Sequence, residues 1–280
     1  MLFNDVDTIV GFNTLFVSLI VLVCMLDAAY IIIFIGLGIG GGLFGSLIGI
    51  GGGIIFTPVL TLMGLPPAQV SSTSLVAVTF TSISSVISYA RHKRIKYRIA
   101  SRIAFLSVPG AILGVYLSTL ISIGLFKLFF SLILIISVIY ILYNGSTKFE
   151  KGKKKIQFNP YPVLYSCAFA AGIISSLFGV GGGIIFVPIL LLLVGMKMHE
   201  AAPTSQFIIM ISSATGLVVH AIMGNPNYAF AISLSIGAFA GGVIGAELSG
   251  HIRENFLQIF LSISLLFVSG RLILDVIDDL

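Results

Sequence analysis

A glycine-rich passage occurs twice in this chain of 280 residues. Ser46-Leu47-Ile48-Gly49-Ile50-Gly51-Gly52-Gly53-Ile54-Ile55-Phe56-Thr57-Pro58-Val59-Leu60 returns as Ser176-Leu177-Phe178-Gly179-Val180-Gly181-Gly182-Gly183-Ile184-Ile185-Phe186-Val187-Pro188-Ile189-Leu190. Each copy interrupts a long apolar run. Within a bilayer, helix breakers are tolerated only where the freed backbone groups are buried in protein or line a cavity. Two interruptions at equivalent places in two halves point to a secondary transporter's binding site.

The rest of the chain supports a membrane setting. It is 58% hydrophobic and 9% charged, with a mean hydropathy of +1.15, whereas soluble domains carry about 25% charged residues. The length leaves room for about eight or nine spans of ~20 residues and for no soluble domain. Cys24 and Cys167 both fall in apolar segments and form no disulfide framework or CxxC motif, so they read as packing residues. There is no Trp, which leaves Tyr to supply an interfacial aromatic belt.

Apolar runs cover 8–26, 30–63, 71–90, 99–122, 124–143, 162–195, 204–223, 228–250 and 255–275. A single helix over either 34-residue run would exceed the ~30 Å hydrocarbon core, so each reads as a full or partial helix, a glycine break and a half-helix. The net charge of +5 is concentrated: Arg91, Lys93, Arg94, Lys96, Arg98, Arg102, Lys148, Lys151, Lys153, Lys154 and Lys155 are eleven of the 15 basic residues. Two spans separate these two groups, which puts both on one side, cytoplasmic by the positive-inside rule. That clustering fixes topology and excludes a nucleic-acid partner. Counting each broken run as one crossing places the C-terminus in the cytoplasm, and the N-terminus outside where 8–26 spans. Asp5 and Asp7, with no Lys or Arg, argue against a signal peptide there.

The division is thus an extra N-terminal transmembrane helix (1–29), a first repeat (30–146), a basic linker (147–160) and a second repeat (161–280). Beyond the glycines, Gly64 matches Gly195, Thr73-Ser74 matches Thr204-Ser205, Tyr97 matches Tyr228, Gly110 matches Gly241 and Gly114 matches Gly245. The expected fold is an all-α polytopic membrane protein with two parallel four-segment repeats, each opening with a glycine-broken helix. Re-entrant hairpins at the breaks would change the parity, and are expected to put the basic loops on opposite sides, against the charge rule.

The duplicated G-x-G-G-G-x-x-x-x-P-x-L passage, over 49–60 and 179–190, with a Thr-Ser pair opening the next helix, resembles the sulfite exporter TauE/SafE family of membrane proteins. The resemblance covers about residues 30–275 and implies transport of small anions, notably sulfite and other sulfur compounds such as organosulfonates.

A half-helix starting at a break offers unpaired N–H groups and a positive dipole end, and glycine lets an anion approach them. The candidate anion site is therefore Gly51, Gly52 and Gly53 with Gly181, Gly182 and Gly183, the two sets facing each other near the midplane. Pro58 and Pro188 each remove a further backbone donor. Thr73, Ser74, Thr204 and Ser205 are candidate contacts or helix caps. Gln206, where the first copy has Leu75, adds an amide that orients substrate or pairs with a neighbouring helix. Ser46 and Ser176 are weaker candidates. His220, aligned with Tyr89 and placed near the cytoplasmic end of its span, and Glu247, placed near the outer end, are candidates for proton coupling, against a plain interfacial role. Gly237, Gly241 and Gly245, spaced by four, read as helix packing.

No catalytic residue, metal site or cofactor is expected. A soluble phosphate loop fails because no Gly-Lys-Ser/Thr follows the glycines, and an intramembrane enzyme lacks HExxH or paired carboxylates at depth. A non-transporting accessory protein stays open, as do a coupling ion and a homo-oligomer. The expected partners are a small anion and membrane lipid.

Overall fold

The computed structural model describes residues 30–146 and 161–250, with 266, 269, 270 and 274. All regular structure among them is α-helical. In chain order the helices are α1 (Tyr30–Ile48), α2 (Gly53–Leu62), α3 (Pro67–Arg91), α4 (Tyr97–Leu120), α5 (Ile123–Ser146), α6 (Tyr161–Phe178), α7 (Gly183–Leu192), α8 (Met198–Ile222) and α9 (Tyr228–Leu248). Helices α1, α3, α4, α8 and α9 are long and apolar enough to cross a membrane. The expected span at 8–26, the linker 147–160 and nearly all of 255–275 lie outside the described residues.

Both central helices start earlier than hydropathy suggests. Helix α3 opens at Pro67, whose fixed φ suits a first turn and whose missing N–H has no helical acceptor to lose. Helix α8 opens at Met198 and carries Pro203 in its second turn. Their first turns are too polar or proline-rich to register in an apolar run.

The glycine breaks reverse the chain. A Cβ built at Gly45 would stand 2.0 Å from the Gly52 nitrogen, and one at Gly41 would stand 2.1 Å from the Phe56 ring. Residues progressively earlier in α1 therefore meet residues progressively later in α2, so α2 runs back along α1. In the second half Gly182 packs on Ala171 and Ser175, and α7 folds back on α6 in the same way. At ten residues each, α2 and α7 are ~15 Å long and return through only half of the hydrocarbon core.

Hairpins change the relation between the halves, and here the structure corrects the expected parallel repeats. The Asn227 amide, in the turn after α8, donates to Thr73 Oγ1 near the start of α3 (3.2 Å). The Lys96 amide, in the turn after α3, donates to Thr204 Oγ1 near the start of α8 (3.2 Å). The start of each helix thus lies beside the end of the other, so α3 and α8 are antiparallel and the repeats are inverted. The physical reason is parity: each hairpin re-enters on its own side and contributes no crossing. The basic segments flank α4 and α5 whichever way the breaks fold, so they share a face in both topologies and the charge rule does not distinguish them.

Packing exchanges elements between halves. Gly110 and Gly114 of α4 lie on the Phe169 and Ile173 carbonyls of α6, and Gly172 lies on the Ser107 carbonyl in return. In the other half Gly38 and Gly42 of α1 meet Leu234 and Ala238 of α9, and Gly237, Gly241 and Gly245 sit on the Ile35, Ile39 and Leu43 carbonyls. Both pairs run parallel at the close approach that small residues permit. Each hairpin is thereby clamped by a helix of the opposite repeat. Phe126 and Phe130 of α5 pack around Phe178, immediately before the second break, with ring centroids 5.2 and 5.4 Å away.

One end of the bundle, termed here the basic face, carries the 92–96 turn, the start of α8 and the end of α9. Gly250, just beyond α9, lies against Arg94. The expected cytoplasmic C-terminus lies outside the described residues.

Candidate functional site

At the first hairpin tip the Gly45 carbonyl accepts the amides of Gly49 (3.1 Å), Ile50 (2.8 Å) and Gly51 (3.0 Å), which ends α1. Gly49, Gly51 and Gly52 have φ of 85°, 89° and 84°, and Gly179, Gly181 and Gly182 have 71°, 81° and 71°. An L-residue in this left-handed region costs roughly 1–2 kcal/mol, so three per tip fix the residue type. Gly52 and Gly182 open α2 and α7 with no side-chain cap on either helix start. Both starts are buried. The first N–H groups of a helix have no intrahelical acceptor and carry its positive dipole end.

The two tips pack against each other. A Cβ at Gly53 would stand 2.5 Å from Val180 Cα, and one at Gly183 would stand 2.4 Å from Ile50 Cα. Gly51 and Gly181 both meet Val78 and Ile209, near the middles of α3 and α8. The candidate glycines are therefore brought together at the centre of the bundle. In this conformation the other tip occupies the space at Gly53 and Gly183, so the centre is closed.

The Thr-Ser pairs serve the opposite halves. Ser74 Oγ donates to the Gly179 carbonyl (2.7 Å), and Ser205 Oγ donates to the Gly49 carbonyl (2.8 Å). Thr73 and Thr204 accept the turn amides described above. All four are fully buried. They cap neither of their own helices, since α3 and α8 open several residues earlier; they tie each core helix to the other repeat's tip and turn.

Gln206 is also fully buried. Its Nε2 donates to the Gly45 carbonyl (2.7 Å), while its Oε1 has no partner. Ser46 belongs to a closed network: its Oγ donates to the Gly242 carbonyl (3.0 Å), Ser85 Oγ donates to it (2.8 Å), and Tyr89 donates to its carbonyl (2.9 Å). The counterparts Ser176 and His220 are less complete. His220 lies against the Ser176 backbone, and its Nδ1 is 3.0 Å from Asn225 Nδ2, but its Nε2 and Ser176 Oγ lack partners of good geometry.

Parity also relocates the two ionisable candidates. His220 sits at the end of α8 away from the basic face, whereas the sequence count put it on the side of the basic loops. Glu247 lies at the basic face, whereas the sequence count put it on the opposite side, and it pairs there with His92 (3.1 Å) in a half-exposed contact. A cleft of ≈ 340 Å³ opens at the same face between Lys93, Arg94, Lys96, His199, Glu200 and Gly250. Lys96 and Glu200 are ion-paired across it (3.0 Å). Among the described residues no group of three or more His, Cys, Asp or Glu could hold a metal ion.

Two contributors were not singled out from sequence. Thr57 Oγ1 donates to the Phe178 carbonyl (2.8 Å) and lies 3.1 Å from Ser74 Oγ. Ser71 Oγ donates to the Leu177 carbonyl. The available signal was chemical: Thr57 stands where the second copy has Val187, and α3 buries an unusual series of hydroxyls.

A model of the sulfite exporter TauE/SafE family matches residues 33–272. The probable membrane transporter protein YunE of Bacillus subtilis is 32% identical, over 87% of this chain and 97% of its own. The probable membrane transporter protein MJ0441 of Methanocaldococcus jannaschii is 28% identical, over 83% of this chain and 91% of its own. YjnA, a further probable membrane transporter protein of B. subtilis, is 27% identical, over 80% of this chain and 92% of its own. No solved structure matches the chain. With its duplicated glycine hairpins and multi-pass helical bundle, the chain belongs to the sulfite exporter TauE/SafE family of membrane transporters.

Proposed function

We propose that the chain moves a small anion, sulfite or another sulfur oxyanion or organosulfonate, past the paired hairpin tips, with export as the physiological direction. The observation that carries this reading is the meeting of two buried, uncapped helix starts at the centre of an inverted repeat. Backbone N–H groups and dipole ends there attract an anion without a buried Lys or Arg. Transport requires the tips to part, because Gly53 and Gly183 leave no room between them as described. Inverted repeats supply an equivalent movement on each side, the structural basis of alternating access.

The basic face is taken as cytoplasmic by the positive-inside rule. Its cleft, with Lys93, Arg94 and Lys96, raises the local concentration of anions before entry. His220, at the far end of α8, is the proposed proton-coupling group; Glu247, half exposed and paired with His92, fits an interfacial contact better.

The test is flux of labelled sulfite, sulfate and organosulfonate into proteoliposomes containing the full chain. The reading predicts saturable flux of at least one of them, abolished when Gly52 or Gly182 becomes Val. Absence of flux for all of them contradicts it, as does flux unchanged by both substitutions.

A further inference from the structure

The two halves differ at one fully buried position beside a hairpin tip. Where the first half has Leu75, the second has Gln206. Its Nε2 contact with the Gly45 carbonyl fixes the amide's orientation, because the flipped amide would turn Oε1 onto a carbonyl. Oε1 is then left buried without a donor. A buried acceptor left without a donor is costly, and in a native protein it calls for an explanation such as a bound water or ion.

The location supplies one. The same Gly45 carbonyl gathers the amides of Gly49, Ile50 and Gly51, and the Gly52 nitrogen packs against Gly45. Gln206 is thus held at the same tip as the buried, uncapped start of the ten-residue α2, and brings an acceptor there. The N–H groups of that start receive negatively charged oxygen, whereas Oε1 receives only hydrogen. Among small oxyanions admitted when the tips part, one that bridges both carries a negative charge and an O–H. A monoprotonated oxyanion of the hydrogen sulfite class does; a sulfonate or a fully deprotonated oxyanion satisfies the amides alone. At the second tip Leu75 offers no acceptor, so the pairing arises once per chain and gives the ligand one orientation.

We infer that Gln206 selects the monoprotonated form of the substrate oxyanion, so that each anion crosses with its own proton. This rests on the transporter reading above. This proton travels on the anion and is separate from any proton that His220 carries.

The experiment measures flux of labelled sulfite and of methanesulfonate, which has no O–H, in proteoliposomes across a pH series. In the wild-type protein, sulfite flux follows its monoprotonated fraction and falls as pH rises through the second ionisation, while methanesulfonate flux is lower and does not follow that titration. Gln206→Leu, which copies the first half, lowers the sulfite-to-methanesulfonate ratio about tenfold or more, since a site built to bond a hydroxyl discriminates strongly for it. Should that variant fail to fold, the wild-type profile still decides. Sulfite flux that rises with the dianion, or a ratio unchanged in Gln206→Leu, overturns the inference alone. No wild-type flux of either anion also overturns the inference, and takes the transporter reading with it when sulfate and other organosulfonates are not carried either.

Discussion

At the scale of single residues, glycine does two different jobs in this chain. Gly53 and Gly183 are there for proximity, since each has the opposite tip's backbone within van der Waals reach of its Cα. Gly64 is there for conformation, with φ of 76° and nothing within 4 Å of an added Cβ. Gly53→Ala is therefore expected to destabilise by about 1–3 kcal/mol through overpacking and to impair flux. Gly64→Ala is expected to cost about 1–2 kcal/mol from its left-handed backbone and to keep flux. Thermal unfolding in detergent, paired with flux, separates the two. Ser74→Ala and Ser205→Ala each leave a tip carbonyl without its cross-repeat donor, with an expected cost of about 1–3 kcal/mol in the same unfolding measurement. His220→Tyr copies Tyr89, which makes the bond that His220 lacks. That variant is expected to fold at least as stably and to lose flux driven by a pH gradient; gradient-driven flux equal to wild type would remove His220 from the coupling role.

At the scale of elements, the helices were largely legible and their directions were not. Hydropathy gave the breaks and most spans because a bilayer selects apolar length. It could not tell a tilted, interrupted crossing from a hairpin, because both use the same 34 apolar residues. The Thr-Ser pairs were recognisable as important, but their partners in the other repeat were not, since nothing local in the sequence records a contact across 105 residues from Ser74 to Gly179. The packing glycines at 237, 241 and 245 were legible from their spacing by four. Their counterpart on α4 gives an element-level prediction. Gly110→Ala would place a Cβ 2.1 Å from the Phe169 carbonyl and push α4 from α6, with an expected loss of about 1–3 kcal/mol. Gly36→Ala, exposed on α1 with nothing within 4 Å, is expected to be neutral or to stabilise by up to about 1 kcal/mol through helix propensity. Chemical unfolding of the two variants reads the contrast.

At the scale of the whole molecule, the inverted repeat explains features that looked unrelated along the chain. It places Thr73 against the turn after α8 and Thr204 against the turn after α3 as one contact seen twice. It joins two half-helices of ten residues at the centre of the bundle, and it moves His220 and Glu247 to faces opposite those expected. Where the symmetry fails, at Gln206 with Leu75 and at His220 with Tyr89, the second-half residue carries a buried polar atom without a partner, Gln206 Oε1 and His220 Nε2. The direct measurement of this inversion is labelling of single cysteines with a membrane-impermeant maleimide, in a background without Cys24 and Cys167. Cysteines at Lys93 and Gly195 are expected to react from one side, and those at Gly64 and Gly224 from the other. Gly195 reacting with Gly64, and Gly224 with Lys93, would contradict the hairpins and restore parallel repeats.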